Sequence, residues 1–489
     1  MPLPAARGTV PARSEDGALP SSAEGLAASL AKMRSAGMPE PALRAFTYYY
    51  EQLRTGQAGL LPESRLEPIS EIPSLRELPC DDEHGRQLLQ RTIVLKLNGG
   101  LGTSMGLRGP KSLLEVKDDL TFLDLIVRQI LSIRRRAQWR IPLVLMNSFA
   151  TDGDTKSPLG RYPDLAADVA TTFVQNSFPK LRPDDLMPVS WPENRALEWA
   201  PPGHGDLYTS IATSGMLGQL LSHEYRYAFI SNSDNLGATL DQRILAWFAG
   251  AQIPFLMEVA DRTEADRKGG HLARERGGGL VLRESAQTPD DDVPAFQDVT
   301  RHRVFNTNNL WLDLEALARL LDDRDGFIGL PMIVNRKPLD PSDPSTPEVI
   351  QLESAMGAAI GVFEGAQALR VPRRRFAPVK TTNDLLAVRS DAYVLIDEAY
   401  LELARQRAGR PPVIELDPRF YKLLPDFEAR FPAGAPSLVA CERLRVRGDV
   451  RFGRGVVARG AVTIEHTGAG HLRIEDGAVL DGEIVSQRP

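Results

Sequence analysis

The 489-residue chain is 42% hydrophobic, enough for more than one sizeable core, and its length suggests two or three domains. Its net charge of −6 provides no long-range attraction to nucleic acid or to an anionic membrane surface, so we expect neither as a partner. The two cysteines, Cys80 and Cys441, lie far apart without a Cys-x-x-Cys motif, which supports neither a disulfide framework nor a structural zinc site.

The N-terminal residues are rich in Ala, Pro, Ser and Gly without periodicity, which is typical of a disordered tail, here residues 1–24. The chain has no apolar run near the about 20 residues of a membrane-spanning helix. Its first residues also lack the apolar core of a secretory signal. We therefore expect a cytoplasmic protein that is not inserted in a membrane.

Apolar residues follow this tail at intervals of three and four positions, the spacing of an amphipathic helix. Gly37–Pro39 divides them into two sets, so the pattern predicts a helix pair within a helical N-terminal segment over residues 25–90. The six apolar positions are Leu26, Leu30, Met33, Leu43, Phe46 and Tyr50.

Short β-branched runs alternate with helical stretches between Thr92 and Leu395, which predicts an α/β domain over residues 91–430. Its mixed sheet should be mainly parallel, in a Rossmann-like arrangement. The predicted strands are IVLKL (93–97), PLVLM (142–146), YAFIS (227–231) and PFLMEV (254–259), and the predicted helices cover 122–133 and 207–221. Ligands of such sheets bind beyond the carboxyl ends of the strands, so we expect a site at the turns after Leu97 and Ser231.

The first of these turns, LNGGLGTSMGLRGPK over Leu97–Lys111, has five glycines among the eleven positions Gly99–Gly109. Glycines let the backbone approach an anion closely, and Lys111 would add a positive charge. The spacing from Gly100 to Gly106 is one residue too long for the Rossmann dinucleotide fingerprint, and Pro110 stands where a P-loop requires glycine. The loop is therefore predicted to bind phosphates, but as neither a Rossmann fingerprint nor a P-loop.

Two polar motifs follow further along the chain. In PPGHGD at 201–206, prolines stiffen the backbone, glycines let it approach a ligand, and His204 offers a hydrogen-bonding ring. In NSDN at 232–235, directly after the predicted strand YAFIS, Asp234 is a candidate Mg²⁺ ligand, because Mg²⁺ takes one or two carboxylates plus phosphate oxygens. The alternatives are a structural histidine and an Asx-capped turn.

Three amide side chains and one lysine complete the set of candidates. Gln175 can both donate and accept hydrogen bonds, as an imide edge requires. Asn306 and Asn308 alternate in FNTNNLW, so on a strand both would lie on one face and could bind sugar hydroxyls; an edge-strand polar pair is the alternative. Lys380 could act with Lys111 as a second cation around a reacting phosphate, or be a solvated surface lysine.

The C-terminal residues show a six-residue period of aliphatic side chains, interrupted at Gly468. This period predicts a C-terminal parallel, left-handed β-helix over residues 431–489, with ordinary strands of chance spacing as the alternative. Such an end can cap the domain or form a homo-oligomer, and we expect no catalytic role for it. The residues in this register are Leu438, Leu444, Val450, Val456, Val462, Ile474 and Leu480.

The run LNGGLGTSMGLRGPKSLLEV with DLTFLDL resembles the nucleotide-binding loop of the eukaryotic-type UTP–glucose-1-phosphate uridylyltransferases, also called UDP-glucose pyrophosphorylases. Further motifs follow in the family's order over roughly residues 33–397, from PLVLMNSFATDGDT to FAPVKTTNDLL. The resemblance implies a nucleotidyltransferase domain. Ser104 stands where the wider pyrophosphorylase family usually has arginine, which favours UDP-glucose as the product. At Ser233 the family usually has an aliphatic residue.

The resemblance also implies roles for individual residues. Lys111, Asp234 and Lys380 would be catalytic, with Mg²⁺ at Asp234 and Lys111 beside the metal–phosphate site. The implied nucleotide-binding residues are Leu97, Asn98, Gly99, Gly100, Lys111, Gln175, Gly203, Asn232, Asp234 and Lys380. The implied sugar-phosphate-binding residues are Gly99, Gly100, His204, Asn232, Asp234, Asn306 and Asn308. Uracil would contact Gly100, Gln175 and Gly203.

The expected reaction is the Mg²⁺-dependent conversion of UTP and glucose 1-phosphate to UDP-glucose and pyrophosphate, by direct in-line attack of the sugar phosphate on the α-phosphorus. Three alternatives remain open at this stage. The first is a pyrophosphorylase that makes UDP-galactose or UDP-N-acetylglucosamine. The second is a nucleotide-binding scaffold or sensor without turnover, and the third, disfavoured by the loop spacing, is an NAD-dependent oxidoreductase.

Overall fold

The computed structural model describes residues 22–56, 59–79, 82–107, 109–397 and 399–486. Most of the predicted tail, residues 1–24, and Cys80 lie outside these ranges. The tail prediction is wrong for its last three residues, because the first helix begins at Ser22. Glu24 lies in its first turn, where a negative charge favours the helix dipole.

The described residues form thirteen α-helices. They are α1 (Ser22–Ser35), α2 (Glu40–Arg54), α3 (Asp82–Leu88), α4 (Phe122–Ala137), α5 (Asp152–Leu159), α6 (Leu207–Thr213), α7 (Met216–Ser222), α8 (Gln242–Gly250), α9 (Val293–Gln297), α10 (Leu314–Asp323), α11 (Thr382–Arg389), α12 (Pro418–Tyr421) and α13 (Leu424–Arg430). None of these helices is both long and apolar enough to cross a membrane.

The strands of the described residues number twenty-four. They are β1 (Leu66–Glu67), β2 (Thr92–Asn98), β3 (Glu115–Lys117), β4 (Leu120–Thr121), β5 (Leu143–Asn147), β6 (Thr172–Val174), β7 (Phe178–Pro179), β8 (Trp199–Ala200), β9 (Tyr227–Asn232), β10 (Phe255–Asp261), β11 (His271–Glu275), β12 (Leu280–Arg283), β13 (Val304–Asp313), β14 (Met332–Asp340), β15 (Asp343–Ser354), β16 (Gln367–Arg370), β17 (Tyr393–Ile396), β18 (Tyr400–Leu403), β19 (Val413–Leu416), β20 (Cys441–Arg447), β21 (Val450–Phe452), β22 (Val457–His466), β23 (Leu472–Ile474) and β24 (Val479–Ser486).

A mainly parallel mixed sheet forms the centre of the molecule, as predicted. Strands β9, β2, β5 and β6 are neighbours and run parallel, while β13 joins β9 in the antiparallel direction. Strand β10 pairs with β13 and β16, and β11, β12 and β1 complete the far edge. Because Leu97 on β2 pairs with Asn232 on β9, the two predicted turns lie side by side at one edge of the sheet.

Helices cover both faces of this sheet. All seven residues of β2 are buried, which explains its almost continuous apolar sequence. Ile93 and Leu95 pack with the core residues of α6, α7 and α10, whereas Val94 packs on the opposite side with those of α4 and α8. The alternating side chains of one strand therefore serve two separate cores.

Helix α4 confirms the helix predicted over 122–133 and continues to Ala137. Thr121 and Asp124 form a reciprocal cap: Thr121 Oγ1 accepts from the Asp124 backbone N–H at 3.1 Å, and Asp124 Oδ2 accepts from the Thr121 N–H at 2.9 Å. The helix predicted over 207–221 is instead broken into α6 and α7. The break lies at Gly215, whose φ of +80° is left-handed.

The N-terminal helix pair is confirmed, with α1 ending at Ser35 and α2 beginning at Glu40. Its buried face packs on the long hairpin β14–β15, where Phe46 shares a cluster with Ile350 and Leu352. The description of residues 25–90 as helical is incomplete, because β1 joins the central sheet by pairing with β11.

The C-terminal strands form parallel sheets. Strands β19, β20, β22 and β24 pair in that order, and β21 pairs with β23. All seven residues of the six-residue register are buried: Leu438, Leu444, Val450, Val456, Val462, Ile474 and Leu480. The six-residue period therefore predicted correctly which side chains are buried. The left-handed β-helix itself stays a prediction.

Candidate functional site

The glycine-rich loop after β2 adopts a backbone that requires glycine at two positions. Gly102 and Gly106 have φ values of +63° and +75°, in the left-handed region. The Lys111 backbone N–H donates to the Gly100 carbonyl at 3.0 Å, which folds the end of the loop back over its beginning. A Cβ atom at Gly100 would meet nothing within 4 Å, so Gly100 faces open space.

Lys111 lies beside Asp234. Its Nζ donates to Asp234 Oδ2 at 2.7 Å, and the two side chains are 13% and 16% exposed. Asp234 Oδ1 is buried and accepts no hydrogen bond. A buried carboxylate oxygen without a partner is costly, and a cation or hydrogen-bond donor from a ligand would satisfy it.

The segment that carries Lys380 is joined to the same turn. The Val379 backbone N–H donates to the Asp234 carbonyl at 3.2 Å. The next residue, Asn235, forms an isolated antiparallel bridge with Pro378. The structure thus brings the chain segments of the three predicted catalytic residues, Lys111, Asp234 and Lys380, next to one another.

The Lys380 side chain is exposed at this site. Its ammonium lies 5.9 Å from the centre of the Phe376 ring, a cation–π contact. Its backbone N–H donates to Asp384 Oδ2 at 2.9 Å, at the start of α11. The ammonium therefore keeps its donors available for a ligand, while the backbone is held.

His204 begins a 3₁₀ turn over His204–Asp206. Its Nδ1 accepts a hydrogen bond from the Met356 backbone N–H at 3.0 Å, so the neutral ring carries its proton on Nε2. Burial lowers the pKa of His204 to about 4; Glu353 opposes this shift, and the nearby Lys380 ammonium adds to it. At neutral pH the ring is an uncharged hydrogen-bond donor.

The predicted uracil contacts are arranged in two places. At Gly99 a Cβ atom would lie 2.6 Å from Gln175 Nε2, so the Gln175 amide packs directly against the glycine-rich loop. Gly203 has a φ of +77°, and a Cβ atom there would lie 2.5 Å from the Ser354 carbonyl oxygen. Gly203 is therefore required, because a side chain there would collide with backbone, whereas a side chain at Gly99 would displace the Gln175 amide.

A buried pair that the sequence did not single out joins these two places. The Asp206 carboxylate accepts from the Asn176 backbone N–H at 2.7 Å and from its side-chain amide at 2.9 Å. Burial raises the pKa of Asp206 to about 7, although the Asn176 hydrogen bonds oppose the shift. Asp206 lies in the PPGHGD motif, yet nothing in the sequence shows that it pairs with Asn176.

Leu97 and Asn98, both predicted to bind nucleotide, have buried side chains. The Leu97 carbonyl accepts from the Ser233 N–H at 3.1 Å. The Asn98 amide donates to Asn147 Oδ1 at 2.8 Å and to Thr155 Oγ1 at 3.0 Å, beneath the loop. These contacts hold the start of the loop on the neighbouring strand and helix. Asn232, at the end of β9, is partly exposed.

Asn306 and Asn308 do not alternate on a regular strand as predicted. The β10–β13 pairing shifts register here, so that Glu258 pairs with Asn309 and Val259 with Asn306. Asn308 has a φ of +58°, in the left-handed region that asparagine tolerates. The two side chains nevertheless meet, because Asn306 Nδ2 donates to Asn308 Oδ1 at 2.8 Å.

Asn306, Asn308 and Lys380 line one cavity of about 1210 Å³. The glycine-rich loop is not among its lining residues. Glu284, which the sequence analysis missed, also lines it, and burial raises the pKa of its carboxyl group while Lys380 opposes the shift. A single glutamate in a stretch without a motif gives no signal that sequence reasoning could have used.

Within the described ranges, no group of three or more His, Cys, Asp or Glu side chains could hold a metal ion. A metal at Asp234 would therefore take most of its ligands from water and from a bound phosphate. That is the coordination Mg²⁺ adopts beside nucleotide phosphates.

The family model described as UTP–glucose-1-phosphate uridylyltransferase matches residues 43–459 of this chain. The UTP–glucose-1-phosphate uridylyltransferase of Hordeum vulgare is 40% identical over 469 residues, 95% of this chain and 96% of that protein. The same enzyme of Encephalitozoon cuniculi is 39% identical over 441 residues, 90% of this chain and 86% of that protein.

Solved structures show the same similarity. The UDP-glucose phosphorylase of Trypanosoma brucei is 45% identical, covers 95% of this chain and 100% of its own, and superposes with a TM-score of 0.89. A mutant of the UDP-glucose pyrophosphorylase of Leishmania major, in complex with UDP-glucose, is 46% identical with a TM-score of 0.88. That match covers 94% of this chain and 99% of the other.

Proposed function

The chain belongs to the UTP–glucose-1-phosphate uridylyltransferase family of nucleotidyltransferases, and from this premise we propose that it converts UTP and α-D-glucose 1-phosphate to UDP-glucose and pyrophosphate. The observation that carries the proposal is the 2.7 Å contact of Lys111 with Asp234, whose turn also binds the segment of Lys380. Two cations and a carboxylate with one free oxygen there suit a triphosphate.

We propose that uracil binds at the end of β6, where the Gln175 amide lies against Gly99. An amide that both donates and accepts can pair with the imide edge of uracil. Gly100 faces open space, which lets the base approach the backbone. The triphosphate then follows the loop toward Lys111.

Glucose 1-phosphate is proposed to bind on the cavity side of Lys380. Asn306, Asn308 and Glu284 supply donors and acceptors for sugar hydroxyls. The Nε2–H of neutral His204 supplies a donor for the sugar phosphate. The Lys380 charge acts on both groups, because it lowers the pKa of His204 and opposes the rise of the Glu284 pKa.

Mg²⁺ is proposed to bind at Asp234. The support is the buried Oδ1 atom that lacks a partner, together with the Lys111 ammonium that already pairs with Oδ2. When bound, Mg²⁺ would neutralise charge on the triphosphate. Asp234 would hold the ion while Lys111 bound the neighbouring phosphate oxygens.

The proposed reaction is a direct in-line substitution. A phosphate oxygen of glucose 1-phosphate forms a bond to the α-phosphorus of UTP as the bond from that phosphorus to the β-phosphate bridging oxygen breaks. Pyrophosphate leaves with the electron pair, and Lys111 and Lys380 stabilise its charge. No side-chain nucleophile is needed, because the attacking phosphate is already ionised at neutral pH, so the residues act by positioning and charge.

We also propose that the C-terminal β-helix predicted from the sequence lets two copies associate. Support comes from β24, the edge strand of its sheet, on which Val479 and Val485 are 57% and 54% exposed. Unpaired edge strands with apolar side chains favour strand pairing. Sedimentation of the purified chain tests this; a monomer at every concentration would contradict it.

Two assays test the proposed reaction. Pyrophosphate release should be fastest with UTP and glucose 1-phosphate in a panel that includes galactose 1-phosphate, N-acetylglucosamine 1-phosphate, ATP and dTTP. Turnover of a chiral α-thio analogue of UTP should invert configuration at the α-phosphorus. A preference for another nucleotide and sugar phosphate would contradict the proposed substrates. Retention of configuration would contradict the direct in-line step and indicate a covalent intermediate.

A further inference from the structure

The position of Lys380 relative to Asp234 depends on the backbone that precedes it. The Lys380 side chain is exposed, and its ammonium lies over the ring of Phe376. Nothing in that contact fixes its distance from Asp234. The distance is therefore set by how residues 375–379 are attached to the Asp234 turn.

Asn235 makes most of that attachment. Its side chain is 3% exposed, and Oδ1 accepts from the Ala377 N–H at 2.9 Å and from the Gly237 N–H at 3.2 Å. Its Nδ2 donates to the Arg375 carbonyl and to Asn309 Oδ1, both at 3.1 Å. All four hydrogen bonds of the amide are thus used, two of them by the segment that leads to Lys380.

The backbones of the turn and the segment are also in close contact. The Asp234 carbonyl accepts from the Val379 N–H at 3.2 Å. A Cβ atom at Gly237 would lie 2.4 Å from the Arg374 carbonyl oxygen, so only glycine allows this approach. The two chain segments are therefore packed backbone against backbone and form one structural unit.

A buried ionic group fixes the far end of this unit. The Arg375 guanidinium donates to both carboxylate oxygens of Glu258, at 2.7 and 2.6 Å. Glu258 is fully buried and also accepts from Asn309 and from Trp311, each at 3.0 Å. Because its guanidinium is held on two sides, the Arg375 carbonyl that receives the Asn235 amide has a fixed position.

We propose that Asn235 is a positioning residue for the transfer reaction: it holds the Lys380 segment against the Asp234 turn, so that Lys380 and Lys111 meet the reacting phosphates together. The inference rests on the proposed function. One side chain thus joins a turn in the middle of the sequence to the segment of a lysine far downstream, beside the backbone contact of Asp234 with Val379.

The test is a double-mutant cycle of Asn235→Ala with Lys380→Met. Asn235→Ala should lower kcat about 10- to 100-fold in the natural chain, since a displacement of about 1 Å can cost that much. In the Lys380→Met background the same change should cost less than about threefold, because its effect acts through Lys380.

A second readout does not depend on turnover. Binding of magnesium pyrophosphate, measured by calorimetry, should weaken in Asn235→Ala but not further when that change is added to Lys380→Met. Gln129→Ala is the matched control: the Gln129 amide is buried and bonds to the Ala399 carbonyl at 3.1 Å, and neither residue lines the cavity. That control should leave kcat within about threefold.

Each outcome decides the inference. Equal losses of kcat in both backgrounds, or equal losses in Gln129→Ala, would mean that Asn235 is only a structural residue. If Asn235→Ala does not fold, Asn235→Ser enters the same cycle with the same expectations. An inactive natural chain would overturn the proposed function, whereas an active chain with additive losses would overturn only the role of Asn235.

Discussion

Lys111 and Asp234 are hydrogen-bonded at 2.7 Å although 123 positions separate them in the chain. They meet because β2 and β9 are adjacent and parallel, so the loop after one and the turn after the other share an edge of the sheet. The pair leaves one buried carboxylate oxygen without a partner.

Replacing Lys111 by methionine keeps the length of the side chain and removes its charge. We expect kcat for UDP-glucose formation to fall about 10²- to 10³-fold, the usual cost of losing one preorganised donor to a developing negative charge. The fold should be retained, since methionine keeps the length of this mostly buried side chain. Initial rates of pyrophosphate release and the far-ultraviolet circular dichroism spectrum measure the two effects.

Lys156→Met is the control for the loss of a lysine charge. Lys156 pairs with Asp152 at 2.6 Å on a surface helix and is 61% exposed, so its removal should change kcat little. A Lys111→Met enzyme within about threefold of the natural rate would rule out Lys111 as a catalytic cation.

Asp234→Asn keeps the shape of the side chain and removes the proposed metal ligand's charge. We expect kcat to fall about 100-fold and the Mg²⁺ concentration for half-maximal rate to rise at least about tenfold. Rates measured across a Mg²⁺ titration give both values. Asp449→Asn is the control, because Asp449 pairs with Arg430 at 2.9 Å beside the C-terminal sheets and does not line the cavity. An unchanged Mg²⁺ requirement in Asp234→Asn would exclude Asp234 as the metal ligand.

His204 should remain neutral throughout the working pH range, because burial lowers its pKa to about 4. We therefore expect His204→Gln to lower kcat/KM for glucose 1-phosphate by the same factor at pH 6 and pH 8. The substrate phosphate titrates equally in both enzymes and cancels. A histidine with the ordinary pKa of about 6.5 would instead change that factor about fourfold.

The same shift predicts a pH dependence of stability. In the unfolded chain His204 binds a proton near pH 6.5, and in the folded protein only near pH 4. Its contribution to stability is complete above pH 6.5 and is lost as the pH falls toward 4. Urea unfolding at pH 7 and pH 5 should therefore show a larger loss for the natural chain than for His204→Gln.

Gly448 and Gly434 provide a matched pair for the C-terminal sheets, because both have a φ of +90°. A Cβ atom at Gly448 would lie 2.0 Å from the His466 carbonyl oxygen, whereas at Gly434 nothing lies within 4 Å. Alanine at either position should cost about 1–2 kcal/mol of backbone strain. Gly448→Ala should cost about 1–3 kcal/mol more for the clash, measured by urea unfolding, and equal losses would contradict the described packing.

Local sequence patterns predicted much of the fold. The apolar runs of β2 and β9, and the position of the glycine-rich loop after β2, depend on hydrophobicity and turn chemistry within a few residues. The prediction that the turns after Leu97 and Ser231 lie at one edge needed only the rule that parallel strands end at the same edge of a sheet. The place of these turns is therefore encoded locally in the sequence, whereas the geometry of the site is not.

Contacts between distant residues could not be predicted. Asn235 and Ala377 are 142 positions apart, and no local pattern shows that an asparagine after the candidate metal ligand holds another segment. The register shift that places Asn308 at a positive φ is equally hidden, because a bulge depends on the partner strand. The place of Glu284 in the cavity could not be predicted either, because no motif surrounds it in the sequence.

The most direct test of the central claim is a ³¹P NMR time course of the purified chain with UTP, glucose 1-phosphate and MgCl₂. We predict that UTP is consumed while UDP-glucose and pyrophosphate appear in equal amounts. Unchanged UTP, or its conversion to UDP and inorganic phosphate with glucose 1-phosphate intact, would contradict it.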